Sequence, residues 1–150
     1  MKSFKFRYSK TVWLLLVLVI ILSVVGFVWN IFNIVHARGS TFNLISYYII
    51  AAITAFITVL VVSVMAYGRY VIKGGYLYTY FGFIKSKTTL TDIIAVTHFK
   101  KSNKLVVYFK TEEYTVIVIS PEEYDDFILA LRGANPSIKY DAQIDGEETP

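Results

Sequence analysis

Cysteine is absent from the 150 residues. No disulfide, thiolate nucleophile or cysteine-bound metal is then available, although the absence assigns no compartment. Histidine occurs only as His36 and His98. No residue between Lys10 and His36, or from Gly39 to Gly68, carries a charge at neutral pH. The phosphate-binding loop, the dinucleotide glycine fingerprint, the HExxH zinc motif and the GxSxG nucleophile elbow are all missing. Hydrolysis, redox chemistry and nucleotide chemistry are left without groups to carry them. The sequence reads as non-enzymatic, with no cofactor and no metal.

What is present is apolar. Hydrophobic residues make up 55% of the chain and the mean hydropathy is +0.53, which puts it among membrane proteins rather than soluble ones. The uncharged stretches contain two apolar runs, about residues 12–35 and 42–67. Each exceeds the roughly 20 residues that cross a hydrocarbon core of about 30 Å. Residues 11–68 therefore read as a two-helix transmembrane hairpin. The first run is also longer than the apolar core of a signal peptide, so it reads as a retained span.

The flanks orient this hairpin. Residues 1–10 carry Lys2, Lys5, Arg7 and Lys10 and no acid; Arg69 and Lys73 follow the second run. The connection between the runs holds one firm charge, Arg38. Basic residues flanking spans stay on the cytoplasmic side, so residues 1–10 read as a basic cytoplasmic arm and both termini as cytoplasmic. Trp13 and Tyr67 fall near one boundary, and Trp29, Tyr47 and Tyr48 near the other, as interfacial aromatics do. On this topology His36 and His98 lie on opposite sides of the membrane and share no site.

Small and amide side chains recur along both runs. Ser23, Gly26, Asn30 and Asn33 step by three, four and three, which is one helical face. Ala51, Ala55, Thr58 and Ala66 do roughly the same in the second run. Small residues let helices approach in lipid and amides hydrogen-bond across the contact, so these positions read as the helix seam. A polar pathway is the competing reading, but no acid or base lies at membrane depth to relay a proton.

From Arg69 the pattern shortens to β-like runs: 70–73, 76–81, 84–90, 93–99, 105–109 and 114–119. Gly74-Gly75 suits a two-residue hairpin, and Gly82 a bulge or tight bend. Six antiparallel strands in this span suggest a meander closing into a small barrel or two packed sheets. Ser120-Pro121-Glu122-Glu123 then reads as a helix start with a capping box. Tyr124, Phe127, Ile128 and Leu131 form one apolar stripe, and Gly133 and Pro136 end the helix. Residues 141–150 hold Asp141, Asp145, Glu147 and Glu148 with no base, and read as an acidic, disordered, solvated tail.

Two surfaces are candidates for binding. Lys85, Lys87, Lys100, Lys101 and Lys104 suit an anionic-lipid or partner surface, each worth about 1 kcal/mol beside an anionic bilayer. Tyr76, Tyr78 and Tyr80 share one strand face, which is either core or an exposed platform. Nucleic acid is a poor fit for a membrane-tethered domain of such low net charge.

Strands followed by one amphipathic helix, with Leu77, Gly82-Phe83, Asp92-Ile93, Ser120-Pro121, Phe127, Leu131, Asn135-Pro136 and Ile138, resemble the bacterial pleckstrin-homology-like (PH-like) domain of YyaB-like membrane proteins. The resemblance covers Arg69 to Lys139, and two preceding spans match that family's layout. It implies a PH-like antiparallel β-barrel of six to seven strands over residues 69–140, capped by one C-terminal helix. It also implies a multi-pass protein of a bacterial plasma membrane. Related domains are associated with protein–protein assembly, and some with protection against membrane-active peptides. Gly74-Gly75 closes the first hairpin without a basic loop, so phosphoinositide binding is not implied. The expected function is presentation of this domain at the cytoplasmic membrane face, for a protein partner or self-assembly. Anionic-lipid or membrane-active-peptide sensing in envelope stress or immunity, and a small transport component, are the alternatives.

Overall fold

The computed structural model describes residues 1–36 and 41–143. The chain divides into two units, Tyr8–Tyr67 and a second that joins Met1–Arg7 to Gly68–Pro150.

The first unit is a helical hairpin of α1 (Lys10–His36) and α2 (Thr41–Tyr67). Both helices are long and apolar enough to cross a membrane. Their large side chains, such as Leu14, Leu22, Phe56 and Val59, point away from the helix pair and are exposed. The small ones pack inward. Ser23, Asn30 and Ala51 are buried, and Gly26, Asn33, Ala55 and Thr58 are half-buried, whereas Ala66, on the same expected face, is exposed. A Cβ on Gly26 would stand 3.6 Å from Thr54 Cγ2, so the two helices touch there. The polar side chains turn back on their own helices. Asn30 Nδ2 donates to Gly26 O at 2.7 Å and Asn33 Nδ2 to Trp29 O at 3.0 Å; Thr58 Oγ1 donates to Thr54 O at 2.9 Å. The connection carrying Arg38 lies outside the described residues.

The second unit is built on two four-stranded sheets. The first has the order β1-β2-β3-β4, with β1 (Lys2–Lys5), β2 (Arg69–Lys73), β3 (Tyr76–Phe81) and β4 (Ile84–Thr89), all antiparallel. The second has the order β7-β6-β5-β8, with β5 (Ile93–Phe99), β6 (Lys104–Phe109), β7 (Tyr114–Ile117) and β8 (Lys139–Gln143). The sheets do not close into one barrel, which corrects the barrel expectation. The arrangement stays consistent with a PH-like fold, and six of the strands fall where the alternation puts them.

Two strands were not legible as strands. The basic arm supplies β1, whose Phe4 pairs opposite Tyr70 and is buried. The first part of the basic arm is thus tied down: Phe6 N donates to Gly68 O, just before β2, and Arg7 N to Val118 O, just after β7. Past the helix, β8 runs parallel to β5, so the expected tail boundary at residue 140 falls inside a strand. Residues 144–150 of that tail lie outside the described residues.

Turn chemistry sets the hairpins. Gly74 and Gly75 both have positive φ (59° and 77°), as a two-residue type I′ hairpin requires. Gly82, at φ 65°, stands first in the two-residue loop between the paired Phe81 and Ile84, the type II′ position.

α3 (Tyr124–Ala134) follows a 3-10 turn over Pro121–Glu123. Its stripe Tyr124, Phe127, Ile128 and Leu131 is buried, and Leu129 on the far side is exposed. The capping box does not form. Ser120 makes no side-chain cap; its hydroxyl instead accepts from Arg7 Nη1 at 2.7 Å. Gly133 lies within the last turn rather than beyond it, and Asn135 caps the helix, its N–H on Leu131 O. The core gathers α3, the inner faces of both sheets and Ile138, with Phe127, Leu131, Leu105, Val96 and Val107 fully buried.

Candidate binding face on the first sheet

Successive strand residues point to opposite faces. Phe4, Tyr70, Ile72 and Leu77 enter the core. Their alternates therefore make the outer face: Ser3 and Lys5 on β1, Arg69, Val71 and Lys73 on β2, and Tyr76, Tyr78 and Tyr80 on β3. On β4 they are Lys85, Lys87 and Thr89. Register lines these up across the sheet. Lys5, Arg69, Tyr80 and Lys85 form one row, Ser3, Val71, Tyr78 and Lys87 the next, and Lys73, Tyr76 and Thr89 the last.

The tyrosines are half-buried, and Val71, paired with Tyr78 on the same face, is only 7% exposed. The cations lie over them. Lys87 Nζ stands 3.6 Å from the Tyr76 ring centroid, Lys85 Nζ 4.3 Å from Tyr78 and 5.6 Å from Tyr80, and the Arg69 guanidinium 5.2 Å from Tyr80. Each such contact contributes about 0.5–1 kcal/mol at an exposed site, which biases a long side chain toward its ring. β1 to β4 contain no acidic residue. A recess of about 390 Å³ opens on this face, lined by Met1, Ser3, Arg69, Lys73, Tyr78, Tyr80 and Lys85 among others. The arrangement attracts anions and offers phenol hydroxyls and flat ring faces.

The tyrosine stripe is therefore a platform beside Val71 that bears cations. Of the lysines singled out in the sequence, Lys85 and Lys87 stand on this platform. Lys100 and Lys101 lie in the β5–β6 turn and Lys104 starts β6, all on the other sheet. Lys5, Arg69 and Lys73 join the platform and were missed as site residues. The signal for Lys5 was the alternation of Phe4 and Phe6 with Ser3, Lys5 and Arg7, which is a strand pattern.

Among the polar groups elsewhere in this unit, Asn135 and Tyr124 are committed, while His98 Nε2 is buried with no hydrogen-bond partner. A second recess of about 560 Å³ lies by Ile93, Ala95, Lys110, Asn135 and Lys139, where β5 carries a bulge. There the Asn135 amide donates to Leu90 O at 2.9 Å and Asn135 Oδ1 accepts from Ser137 N. His98 is half-buried with its ring edge-on to Tyr124 at 5.1 Å, and Tyr124 Oη donates to Asn103 O at 2.8 Å. Burial raises the Tyr124 phenol above the ordinary tyrosine value.

Comparison with known families supports the domain and stops there. Residues 68–135 match the family model described as Bacterial PH domain. That segment starts at the residue before β2 and ends at the cap of α3, so β1 and β8 fall outside it. No curated protein and no solved structure matches the chain.

Proposed function

We propose that this chain is a non-catalytic, membrane-anchored docking module of the YyaB-like kind, at a bacterial plasma membrane. Two spans would hold its PH-like domain at the cytoplasmic face, where the basic tyrosine platform takes an acidic segment of a protein partner or of a second copy. The observation that carries this reading is the platform itself: Arg69, Lys85 and Lys87 held over Tyr76, Tyr78 and Tyr80 on a sheet without acids.

Support for both termini lying on one side comes from β1 and β2. They flank the hairpin in sequence and pair with each other. Two crossings return the chain to its starting side, and the basic flanks then favour the cytoplasm. Because the chain lacks cysteine, single cysteines at Ser40 and Gln143 test this: outside labelling at the first and inside labelling at the second are expected.

The docking reading is tested by a photo-crosslinking residue at Tyr78 in intact membranes. A discrete protein adduct, lost when Lys73 and Lys87 are both changed to Glu, is expected. Adducts with lipid only, or a protein adduct indifferent to that reversal, would count against it.

A further inference from the structure

The first sheet has one apolar end. Phe81, Phe83 and Ile84 are 45%, 58% and 50% exposed. Phe81 and Ile84 pair across the β3–β4 turn, and Gly82 at φ 65° holds Phe83 at its tip. Phe6 packs on Phe81 with ring centroids 5.5 Å apart, and its N–H donates to Gly68 O. Gly68 is the single residue between α2 and β2, and Phe6 stands four residues before α1. The apolar turn thus lies at the end of the sheet where the chain leaves for both apolar helices. At about 3.8 Å per residue, Gly68 cannot be far from the end of α2.

The next row inward is Lys5, Arg69, Tyr80 and Lys85. Three large exposed apolar side chains, backed by a row of cations and an aromatic hydroxyl, have the composition of a surface that meets a bilayer. Apolar groups enter the acyl boundary, and cations reach phosphates at headgroup depth. Clustered exposure of this kind marks an interaction site rather than ordinary surface scatter.

We propose that the β3–β4 turn, Phe81 to Ile84, is a membrane-contacting wedge. Phe83 and Ile84 enter the interface of the bilayer that α1 and α2 cross, and Arg69 and Lys85 engage anionic phospholipid headgroups. This rests on the membrane-spanning reading of the two helices. The wedge would fix how the sheet stands at the surface. It would leave Lys73, Tyr76 and Lys87, about 10–17 Å along the strands, free for a partner.

The test uses the full chain in phosphatidylcholine vesicles with and without phosphatidylglycerol. Single cysteines at Phe83, Lys73 and Val25 each carry an environment-sensitive fluorophore. Blue-shifted emission at Phe83→Cys, with several-fold stronger quenching by shallow nitroxide lipids than at Lys73→Cys, is expected. Phosphatidylglycerol should strengthen that quenching, and Arg69→Glu with Lys85→Glu should remove the gain. If Phe83→Cys matches Lys73→Cys while Val25→Cys is quenched by deep nitroxides, the wedge is wrong and the spans stand. If Val25→Cys escapes deep quenching, the spanning reading falls and the wedge with it. A Phe83→Cys probe shielded from aqueous iodide but untouched by lipid nitroxides would mean that protein covers the turn, which overturns the proposal. An unaltered phosphatidylglycerol effect in the double reversal would overturn the headgroup role of Arg69 and Lys85.

Discussion

Phe4 meets Phe127 edge to face, their ring centroids 5.1 Å apart and their planes at 77°. One belongs to a strand that precedes both apolar helices, the other to the helix near the end of the chain. Tyr70 completes the contact, its ring 6.0 Å from Phe127. The N-terminal segment is therefore part of the β unit's core, although the whole hairpin separates it from the rest of that unit in sequence.

Phe4→Ala should destabilise the β unit by about 3–5 kcal/mol, the usual cost of truncating a buried phenylalanine. Lys2→Ala, on the same strand but exposed, should cost less than about 0.5 kcal/mol. Denaturant unfolding of the detergent-solubilised chain, followed by tyrosine fluorescence, measures both. Equal effects would mean that β1 contributes charge and no packing.

The glycines separate by backbone conformation. Gly74→Ala and Gly75→Ala place a Cβ in open space, yet each should cost about 1–2 kcal/mol because φ is positive. Gly133→Ala, also in open space but in the last turn of α3, should stabilise by up to about 1 kcal/mol. Thermal unfolding of the three variants gives the signs directly.

Tyr124 makes stability fall in alkali. Its phenol is raised by burial, so the folded state resists losing that proton while the unfolded chain does not. Its contribution is complete below the ordinary tyrosine value of 10.0 and is lost as pH rises through the folded value. Tyr124→Phe should cost about 0.5–1.5 kcal/mol at neutral pH, from the lost bond to Asn103 O, and should flatten the alkaline decline. Stability measured across that range checks both.

Packing between α1 and α2 should tolerate Ala at Gly26 and resist Ile. The nearest atom to an added Cβ is Thr54 Cγ2 at 3.6 Å, ordinary contact for a methyl and too close for a branched side chain. Gly26→Ile should loosen the pair by about 1–3 kcal/mol, read as faster proteolysis or a lower melting temperature in micelles. Val25→Ile, exposed on the other side, should change neither.

Local patterns carried far in this chain. Uninterrupted apolar runs specify helices long enough for a membrane, because length and composition alone decide that. Alternation and glycine pairs placed β2 to β7 within a residue or two, since strand period and turn conformation are short-range properties. The apolar stripe of α3 was legible for the same reason.

What pairs with what was decided only by the tertiary structure. Lys2 to Lys5 carries only a short alternation, and becomes a strand because β2 presents an open edge and Phe127 leaves room for Phe4. Residues 139–143 likewise gain strand structure from the edge of β5. Ser120 looks like a cap in sequence, but Arg7 reaches it from across the chain. The platform of Lys5, Arg69, Lys73, Lys85 and Lys87 exists only because strand register brings four separate segments onto one face. A charge pattern read along the chain cannot distinguish those residues from Lys100, Lys101 and Lys104 on the other sheet.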